Sequence, residues 1–394
     1  MRELTYRYRL YPTAKQASEI RRTCGCARFL YNKLLEDRTR HYKETGEWKK
    51  IDSTPYQALP FMICVDPGVL SWVQNSLETA YRKFFYALNT KPNRYRPECI
   101  RRAEADPNYV LMDIDLMNYP RFKKKKTSKE SYTTYIRDLD VKENRVLLPS
   151  IGRVKIRMHR PLPQDAEQIC CTVLKKPCGH FYLLIRLSLP DIPEKKELEQ
   201  PVGIVYVRGQ LAVRSDGVPV SYRHQDEKLT RRINMAYKAL KRRTPGSRGY
   251  IQTRTYLNKL FEHRVNQRRD DLHKAARQIT NAGDAFYLQQ PDVTNQLGQL
   301  TEKTERALLL DEAWYTFGAM IKYKAQGEGK RFWTVTRSFP IYGICSCCGH
   351  KPPAQENGTW HCPKCKFKTD QHLNAAGNLR NLGIQYIVDQ KGFS

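Results

Sequence analysis

Two Cys-x2-Cys motifs near the C-terminus are the strongest chemical signal in the sequence. Cys345 and Cys348 form the first pair, and Cys362 and Cys365 form the second. Four thiolates presented by two tight turns are typical of a tetrahedral Zn2+ site, and a full set of protein ligands makes such a site structural. Disulfides or free thiols are the alternatives. Cys347 leaves the register of the first pair open, and we prefer Cys345 as the ligand.

The charge balance indicates a polyanionic partner. The 69 Lys and Arg residues outnumber the 40 Asp and Glu residues, which gives a formal net charge of +29. This excess costs free energy through self-repulsion unless a polyanion neutralises it, and nucleic acid binding gains from counterion release. A membrane surface is the alternative, but no apolar run approaches the ~18 residues of a membrane span, and the N-terminus lacks a signal-peptide core. We therefore expect a cytoplasmic, nucleoid-associated bacterial protein.

The hydrophobic pattern of the first half predicts a small β-barrel interrupted by helices. Residues 2–11 alternate like a strand, and short strands recur from 131 to 188 between turns that contain Pro and Gly. Helices are predicted over 13–48 and 70–89. The segment 90–118 carries three prolines and is predicted to be irregular. The helical block would then be an insertion into the barrel.

The second half contains two long basic helices among predicted strands. A charged linker over 190–201 precedes a strand pair at 202–207 and 210–215. Helices at 227–243 and 248–280 have an apolar stripe on one face and many Arg and Lys residues on the other. The remaining predicted elements are a strand at 285–288, a helix near 301–324 and a strand near 331–336. The two halves together predict a multidomain α+β fold.

Several short motifs occur in an order that one protein family shares. The stretch Asp370-Gln-His-Leu-Asn-Ala-Ala-Gly-Asn-Leu379 directly follows the cysteine pairs. Other such stretches are Tyr119-Pro-Arg-Phe-Lys123, Leu148-Pro-Ser-Ile-Gly-Arg-Val-Lys155, Gly246-Ser-Arg248 and Arg269-Asp-Asp-Leu-His273. These motifs resemble those of the TnpB family of transposon-encoded, RNA-guided nucleases, which are related to the type V CRISPR effectors. The likeness spans nearly the whole chain.

The resemblance implies a wedge β-barrel with a helical recognition insertion, followed by a RuvC-like, RNase H-type α/β domain with an inserted zinc ribbon. The expected boundaries are 1–12 and 119–190 for the wedge domain, 13–118 for the recognition insertion, 191–200 for a linker, 201–340 and 371–394 for the RuvC-like domain, and 341–370 for the zinc ribbon or target nucleic-acid-binding domain.

The nuclease centre that the resemblance implies lacks its carboxylates. A RuvC-type site needs converging carboxylates to hold two Mg2+ ions about 4 Å apart. The three matching positions carry Val205, Gln289 and His372 where the family has Asp, Glu and Asp. Valine cannot bind Mg2+, and amide and imidazole groups are poor ligands for a hard cation. We therefore expect no catalytic residue, no catalytic Mg2+ and no nuclease activity.

These departures narrow the resemblance to the TnpB-like nuclease-dead repressors, which keep guide RNA and target binding and block transcription at promoters. The expected partners are one guide RNA per protein and double-stranded target DNA with a short flanking motif, and no membrane. One alternative is a guide-directed, Mg2+-dependent endonuclease with ligands drawn from Asp284, Asp292 or Asp370. The others are a zinc-ribbon DNA-binding protein that uses no guide, and a vestigial transposon passenger.

The predicted nucleic-acid contacts fall into two sets. Basic side chains would hold RNA and the guide–target heteroduplex by shape and backbone charge, whereas polar side chains must read the flanking motif in duplex DNA. The predicted RNA contacts are Arg7, Arg9, Arg121, Lys123, Lys124, Arg153 and Lys155, and the predicted heteroduplex contacts are Arg242, Arg243 and Arg248. The predicted motif readers are Tyr56, Gln57, Gln74 and Asn75, with simple helix-surface polarity as the alternative.

Overall fold

The chain folds into two compact units, Met1–Asp191 and Ile192–Ser394, in a computed structural model of the protein. The structure describes residues 1–90, 92, 94–106, 108–125, 129–135, 139–140, 144–194, 200–220, 222, 226–352 and 358–391. Residues 195–199 of the predicted linker lie outside these ranges. Within them, no helix combines the length and the apolar character that crossing a bilayer requires.

A seven-stranded sheet forms the centre of the first unit. Its strands are β1 (Arg2–Tyr11), β2 (Glu130–Thr134), β3 (Leu139–Asp140), β4 (Arg145–Leu148), β5 (Gly152–Arg157), β6 (Glu167–Lys175) and β7 (Phe181–Leu189). Their order is β2-β6-β7-β1-β5-β4-β3, and each neighbouring pair is antiparallel. The alternation of β1 buries Tyr8 and Leu10 in the core. The described strands form a half-barrel that ends at β2 and β3, where the sequence predicted a barrel.

The described residues between β1 and β2 form four inserted helices. They are α1 (Ala14–Thr45), α2 (Thr54–Gln57), α3 (Pro67–Thr90) and α4 (Pro97–Ala105), with a short 3-10 turn at Asp113–Asp115. A capping box of Thr13 and Gln16 begins α1, and Gly46 ends it with a left-handed φ of 75°. The helix α4 corrects the prediction that 90–118 is irregular. Pro97 occupies its first turn, where a missing N–H costs nothing.

A polar network ties the helices of the first unit together. The Tyr119 hydroxyl hydrogen bonds to the hydroxyls of Thr39, at 2.7 Å, and Tyr81, at 2.9 Å. Arg38 pairs with Glu78 at 2.9 Å and lies 3.8 Å from the centroid of the Tyr81 ring. Buried charge is costly unless it is paired, so these contacts specify how α1 and α3 pack. They also fix Tyr119, the first residue of one TnpB-like motif.

The second unit is built on a four-stranded sheet of order β11-β10-β8-β9. Its strands are β8 (Pro201–Val207), β9 (Leu211–Arg214), β10 (Ala285–Gln289) and β11 (Arg331–Val335), and a separate hairpin contains β12 (Thr359–His361) and β13 (Lys368–Asp370). β10 is parallel to β8 and β11, whereas β9 is antiparallel to β8. The helices are α5 (Glu227–Lys241), α6 (Arg248–Thr280), α7 (Val293–Gln299), α8 (Lys303–Glu312), α9 (Trp314–Gln326) and α10 (Gln371–Lys391).

Helices pack on both faces of this sheet. On one face, Leu272 of α6 and Phe317 of α9 belong to the same buried cluster as Phe286 of β10. On the other face, Ala376 of α10 packs in a second cluster with Val205 of β8. The successive side chains of a strand point to opposite faces, which is why one short sheet supports two cores.

Gly203 is required where α10 meets β8. A methyl group at this position would overlap the backbone carbonyl of Ala376. We expect Gly203→Ala to lower the free energy of unfolding by about 3 kcal/mol, because the backbone of α10 cannot move aside without disturbing the core. Gly298→Ala is the matched control, since nothing lies within 4 Å of that position, and it should be neutral or slightly stabilising. Urea denaturation measures both, and an unchanged midpoint for Gly203→Ala would contradict this packing.

The helix predicted near 301–324 is interrupted. α8 ends at Glu312 and α9 begins at Trp314, with Ala313 between them in the left-handed conformation, at φ 49° and ψ 47°. The Glu312 side chain is fully buried, and its Oε1 accepts the Gly209 N–H at 2.5 Å. Its Oε2 has no hydrogen-bond partner among the described residues. Burial raises the pKa of the Glu312 carboxyl to about 7, although the Gly209 N–H opposes the shift.

This carboxyl should make stability depend on pH. The folded state favours the protonated form, so its contribution is complete below the unfolded pKa of 4.5 and is lost as the pH rises through about 7. We expect Glu312→Gln to raise the free energy of unfolding by roughly 3 kcal/mol near pH 8 and to change it little near pH 4.5. Glu305→Gln, at a side chain that is 44% exposed, is the control. Urea denaturation at both pH values tests this, and a pH-independent effect of Glu312→Gln would refute it.

Candidate functional site

The four predicted zinc ligands lie in one cluster. The sulfur atoms of Cys345, Cys348, Cys362 and Cys365 are all within 4.8 Å of one another. The distance is 3.7 Å between Cys345 and Cys365 and 3.6 Å between Cys348 and Cys362. Cys347 is exposed and does not belong to the cluster. Four thiols at this spacing could hold a structural zinc ion.

The two cysteine turns share one backbone geometry. In each, the N–H of the first cysteine donates to the carbonyl five residues later, and the N–H four residues later donates back to that cysteine's carbonyl, all at 2.9 Å. The residues that donate back, Gly349 and Lys366, have left-handed φ angles of 70° and 61°. The backbone N–H of Cys365 lowers the pKa of the Cys362 thiol to about 6. This direction favours the thiolate, which is the form that binds metal.

Three asparagines of α10 hold the first cysteine turn. Asn374 donates to the Ile344 carbonyl and accepts the Ser346 N–H, both at 2.8 Å. Asn378 also donates to the Ile344 carbonyl at 2.8 Å, and Asn381 donates to the Ser346 carbonyl at 2.6 Å. None of these asparagines was among the predicted site residues, although Asn374 and Asn378 lie in the motif that follows the cysteine pairs. Their spacing of four and three residues, which places them on one helix face, is the signal that could have found them.

The three positions of the expected nuclease centre meet at one edge of the second unit's sheet. Parallel pairing places Leu288 beside Ile204, so Gln289 and Val205 follow as neighbours at the carboxyl ends of β10 and β8. His372 lies in the first turn of α10, the helix that packs on Val205. The loop after β11 contacts both Gln289 and His372.

Each of the three side chains has a packing or hydrogen-bonding role at this edge. Val205 is buried in the core against α10. The Gln289 amide donates to two carbonyls of the loop after β11, at 3.0 and 2.8 Å. The Nδ1 atom of His372 hydrogen bonds to the Tyr342 hydroxyl at 3.0 Å. A carboxylate at position 289 would face two carbonyl oxygens, so this loop is matched to an amide donor.

The acids that could replace the missing carboxylates are engaged in other contacts. Asp284 precedes β10, at the opposite end from Gln289, and accepts a backbone N–H at 3.0 Å. Asp292 accepts an N–H from the first turn of α7 at 3.2 Å and pairs with Arg337 at 3.1 Å. Asp370 accepts two N–H groups at the start of α10, at 2.8 and 3.0 Å. None of the possible metal-binding clusters within the described ranges includes these three acids.

The predicted basic contacts differ in exposure. Arg7 and Arg9 lie over the Tyr182 ring, 5.0 and 5.3 Å from its centroid. The Lys123 ammonium lies 3.7 Å from the centroid of the buried Tyr31 ring, and burial lowers the pKa of Lys123. Lys123 is therefore directed into the protein. The exposed members are Arg121, Lys124, Arg153 and Lys155 in the first unit, and Arg242, Arg243 and Arg248 at the α5–α6 turn.

Three of the four predicted motif readers use their polar groups within the protein. The Tyr56 hydroxyl donates to a carboxylate of α1. The amides of Gln57 and Gln74 both donate to the buried hydroxyl of Ser53. Asn75 is exposed. Reading a base edge would require the first three to exchange these bonds, whereas Asn75 already presents its amide at the surface.

Two family models match parts of this chain, and several relatives match most of it. The IS605 OrfB model, described as a helix-turn-helix domain, matches residues 1–47, which the structure shows as β1 and the single helix α1. The model of the Cas12f1-like TNB domain matches residues 314–379. A Streptomyces pristinaespiralis protein named "Putative RNA-guided DNA endonuclease" is 27% identical over 96% of this chain and 89% of its own. InsQ of Escherichia coli strain K12, named with the same words, is 22% identical over 96% and 92%.

A solved structure has a similar fold. The protein in a complex of Cas12f1 with sgRNA and target DNA superposes with a TM-score of 0.51 over 96% of this chain and 99% of that chain, at 11% identity. At this identity the likeness concerns the fold alone. The matches together support a relationship between this chain and the TnpB/IS605 OrfB family. They also support a Cas12f1-like multidomain α+β architecture with a half-barrel sheet and a TNB domain.

The cysteine cluster predicts one bound zinc ion per chain. We expect Cys348→Ser to lose the metal and to destabilise residues 341–370, because the metal replaces a hydrophobic core in so small a module. Cys347→Ser is the matched control, since that thiol lies outside the cluster. Elemental analysis of the purified chains measures the metal. Equal zinc content in the Cys348→Ser variant and the original chain would show that these four thiols are not the ligands.

Proposed function

We propose that this protein is an RNA-guided DNA-binding protein that has lost nuclease activity and represses transcription by occupying a promoter. The names of its relatives describe guided action on DNA, which supports guide-directed DNA binding for this chain. Binding and cutting make different demands on a protein. Binding needs positive surface charge and an intact scaffold, whereas cutting also needs carboxylates that hold metal ions.

The hydrogen bonds of Gln289 are the main observation that supports the proposed loss of nuclease activity. We assign the sheet β8–β11 with α10 to a degenerate RuvC-like domain over 201–340 and 371–394. In such a centre a carboxylate would occupy the end of β10. Here an amide donates to two carbonyls at that place, and Val205 is part of the apolar core. Two Mg2+ ions would find no ionised ligand at either position.

The parts of the chain that binding requires are retained. Exposed basic side chains occur in both units, and the net charge is +29. We assign 1–12 and 119–190 to a wedge domain, 13–118 to a recognition insertion, 191–200 to a linker and 341–370 to a zinc ribbon. Three asparagines of α10 hold the first cysteine turn of that ribbon, and four thiols cluster within the ribbon itself. Positive charge together with a centre that lacks carboxylates suits a protein that stays on its target.

A guide-directed endonuclease with rearranged ligands is the second candidate, because both curated relatives are named as endonucleases. It requires Asp292 or Asp370 to leave its helix-capping hydrogen bonds and bind Mg2+. Asp292 would also have to leave Arg337. The two candidates therefore make opposite predictions for cleavage and the same prediction for guided binding.

The test is to purify the protein from cells that carry its native locus and to sequence the RNA that accompanies it. We expect one abundant RNA with a structured scaffold and a guide segment that matches a promoter. The complex should bind a guide-matched duplex and leave both strands intact when Mg2+ or Mn2+ is added. Transcription from that promoter should fall when the complex is present.

Each part of the proposal has its own contrary result. Metal-dependent cutting that Asp370→Ala or Asp292→Ala abolishes would establish the rearranged nuclease instead. Protein that carries no specific RNA, but still binds DNA, would exclude guidance. A duplex with a scrambled guide match is the matched control, because it keeps the phosphate charge and removes only base pairing.

A further inference from the structure

A groove of about 460 Å³ separates α5 from α6 at the surface of the second unit. Its apolar lining consists of Met235, Ala236 and Ala239 from α5 and the ring of Tyr256 from α6, and Gln252 and Thr253 also line it. Met235 is 69% exposed and Tyr256 is 45% exposed, so both present apolar surface to solvent. Large exposed apolar side chains that gather in one place indicate a binding surface.

Two arginines complete the groove. Arg232 of α5 and Arg243 of the α5–α6 turn line it, and both are exposed. The Arg232 guanidinium donates to the Tyr256 hydroxyl at 3.2 Å, which holds the charge beside the ring. A flat aromatic face next to a guanidinium is the combination that binds a nucleotide, because the base stacks while the phosphate pairs with the charge.

The surrounding charge selects the kind of partner. Residues 227–256 contain nine Lys and Arg residues against one acid, Glu227. A second copy of this surface would be repelled, so self-association through the groove is disfavoured. A polyanion is attracted to it. An uninterrupted duplex covers its bases, whereas the exposed faces of Met235 and Tyr256 need an unpaired base to cover them.

We infer that this groove binds unpaired nucleotides of the DNA strand that the guide displaces, an inference that rests on the proposed function and that moves Arg243 from the predicted heteroduplex contacts to the displaced strand. The displaced strand changes its sequence with every target. A site for it must therefore use stacking and charge, which tolerate any base, rather than base-specific hydrogen bonds. The alanine, methionine and tyrosine side chains that line the groove provide stacking surface and the two arginines provide charge, although Gln252 and Thr253 also line it. A bound displaced strand cannot anneal again with the target strand, which would prolong occupancy.

The test uses the full chain with its guide RNA and a guide-matched duplex whose displaced strand carries 5-iodouracil at successive positions. Irradiation should cross-link one short stretch of that strand to the tryptic peptide Thr255–Lys259, which contains Tyr256. Tyr256→Ala should abolish this cross-link and weaken duplex binding about tenfold, the usual cost of one lost stacking partner. It should not weaken binding to the complementary target strand alone.

Two variants serve as matched controls. Tyr256→Phe keeps the ring and loses only the hydroxyl to which Arg232 donates, so it should retain the cross-link and lose much less affinity for the duplex than Tyr256→Ala. Tyr237→Ala removes an exposed tyrosine of α5 that packs on Phe261 rather than in the groove, and it should change neither affinity nor cross-linking. Abasic sites in the cross-linked stretch should weaken duplex binding by the original protein and leave duplex binding by Tyr256→Ala unchanged. Thermal unfolding of every variant separates these effects from loss of the fold.

Three outcomes would overturn the inference. One is cross-linking of Tyr256 to iodouracil in the guide RNA or the target strand instead. Another is a loss of duplex affinity in Tyr237→Ala equal to that in Tyr256→Ala, which would mean that the helix surface acts through its shape alone. The third is unchanged DNA binding in Tyr256→Ala, which would leave the groove to a protein partner. Guide-free full chain with an iodouracil-labelled single strand is run in parallel. Cross-linking of Tyr256 there, without guided duplex binding, would uphold the groove and refute the guided mechanism.

Discussion

The close contact of α10 with β8 is the constraint on which the second unit depends. Only a residue without a side chain fits at Gly203, because the backbone of α10 lies directly against it. This contact places His372 at the sheet edge and turns the asparagine face of α10 towards the first cysteine turn. One helix therefore connects the sheet, the edge that carries Val205 and Gln289, and the cysteine cluster. A change that moved α10 would disturb all three, although they lie far apart in sequence.

The contacts at this sheet edge suit neutral side chains at positions 205, 289 and 372. Converging carboxylates repel one another unless cations lie between them, so a metal site is costly when it has no metal. Here an apolar side chain and two hydrogen-bonding groups occupy the three positions, and each has partners that suit a neutral group. The loop that follows β11 accepts hydrogen bonds from Gln289 and would oppose a glutamate. Gln289→Glu alone would therefore leave a carboxylate facing two carbonyl oxygens, and the loop would have to move to relieve the repulsion.

The basic side chains differ in function: some pack inside the protein and others are exposed to solvent. Arg38 and Lys123 are directed inward and lie on tyrosine rings, where their charge contributes to packing. Arg153 and Arg243 are exposed, where charge can act on a polyanion. The net charge of +29 thus overstates the charge available to nucleic acid. The structure also distinguishes residues that offer charge alone from a surface that offers charge and apolar contact together. At the α5–α6 groove, arginines lie beside exposed apolar side chains.

The sequence alone determined the strands and helices with strong periodicity and the spacing of the four cysteines, because those signals are local. It did not reveal the break at Ala313, since an apolar stripe continues through a change in backbone direction. Nor did it separate Asn75, which is exposed, from Gln74, whose partner Ser53 lies twenty-one residues away. Only the tertiary structure decided which polar groups are already satisfied and which acids are occupied. The physical reason is that hydrogen bonding and burial depend on neighbours that the chain brings together only when it folds.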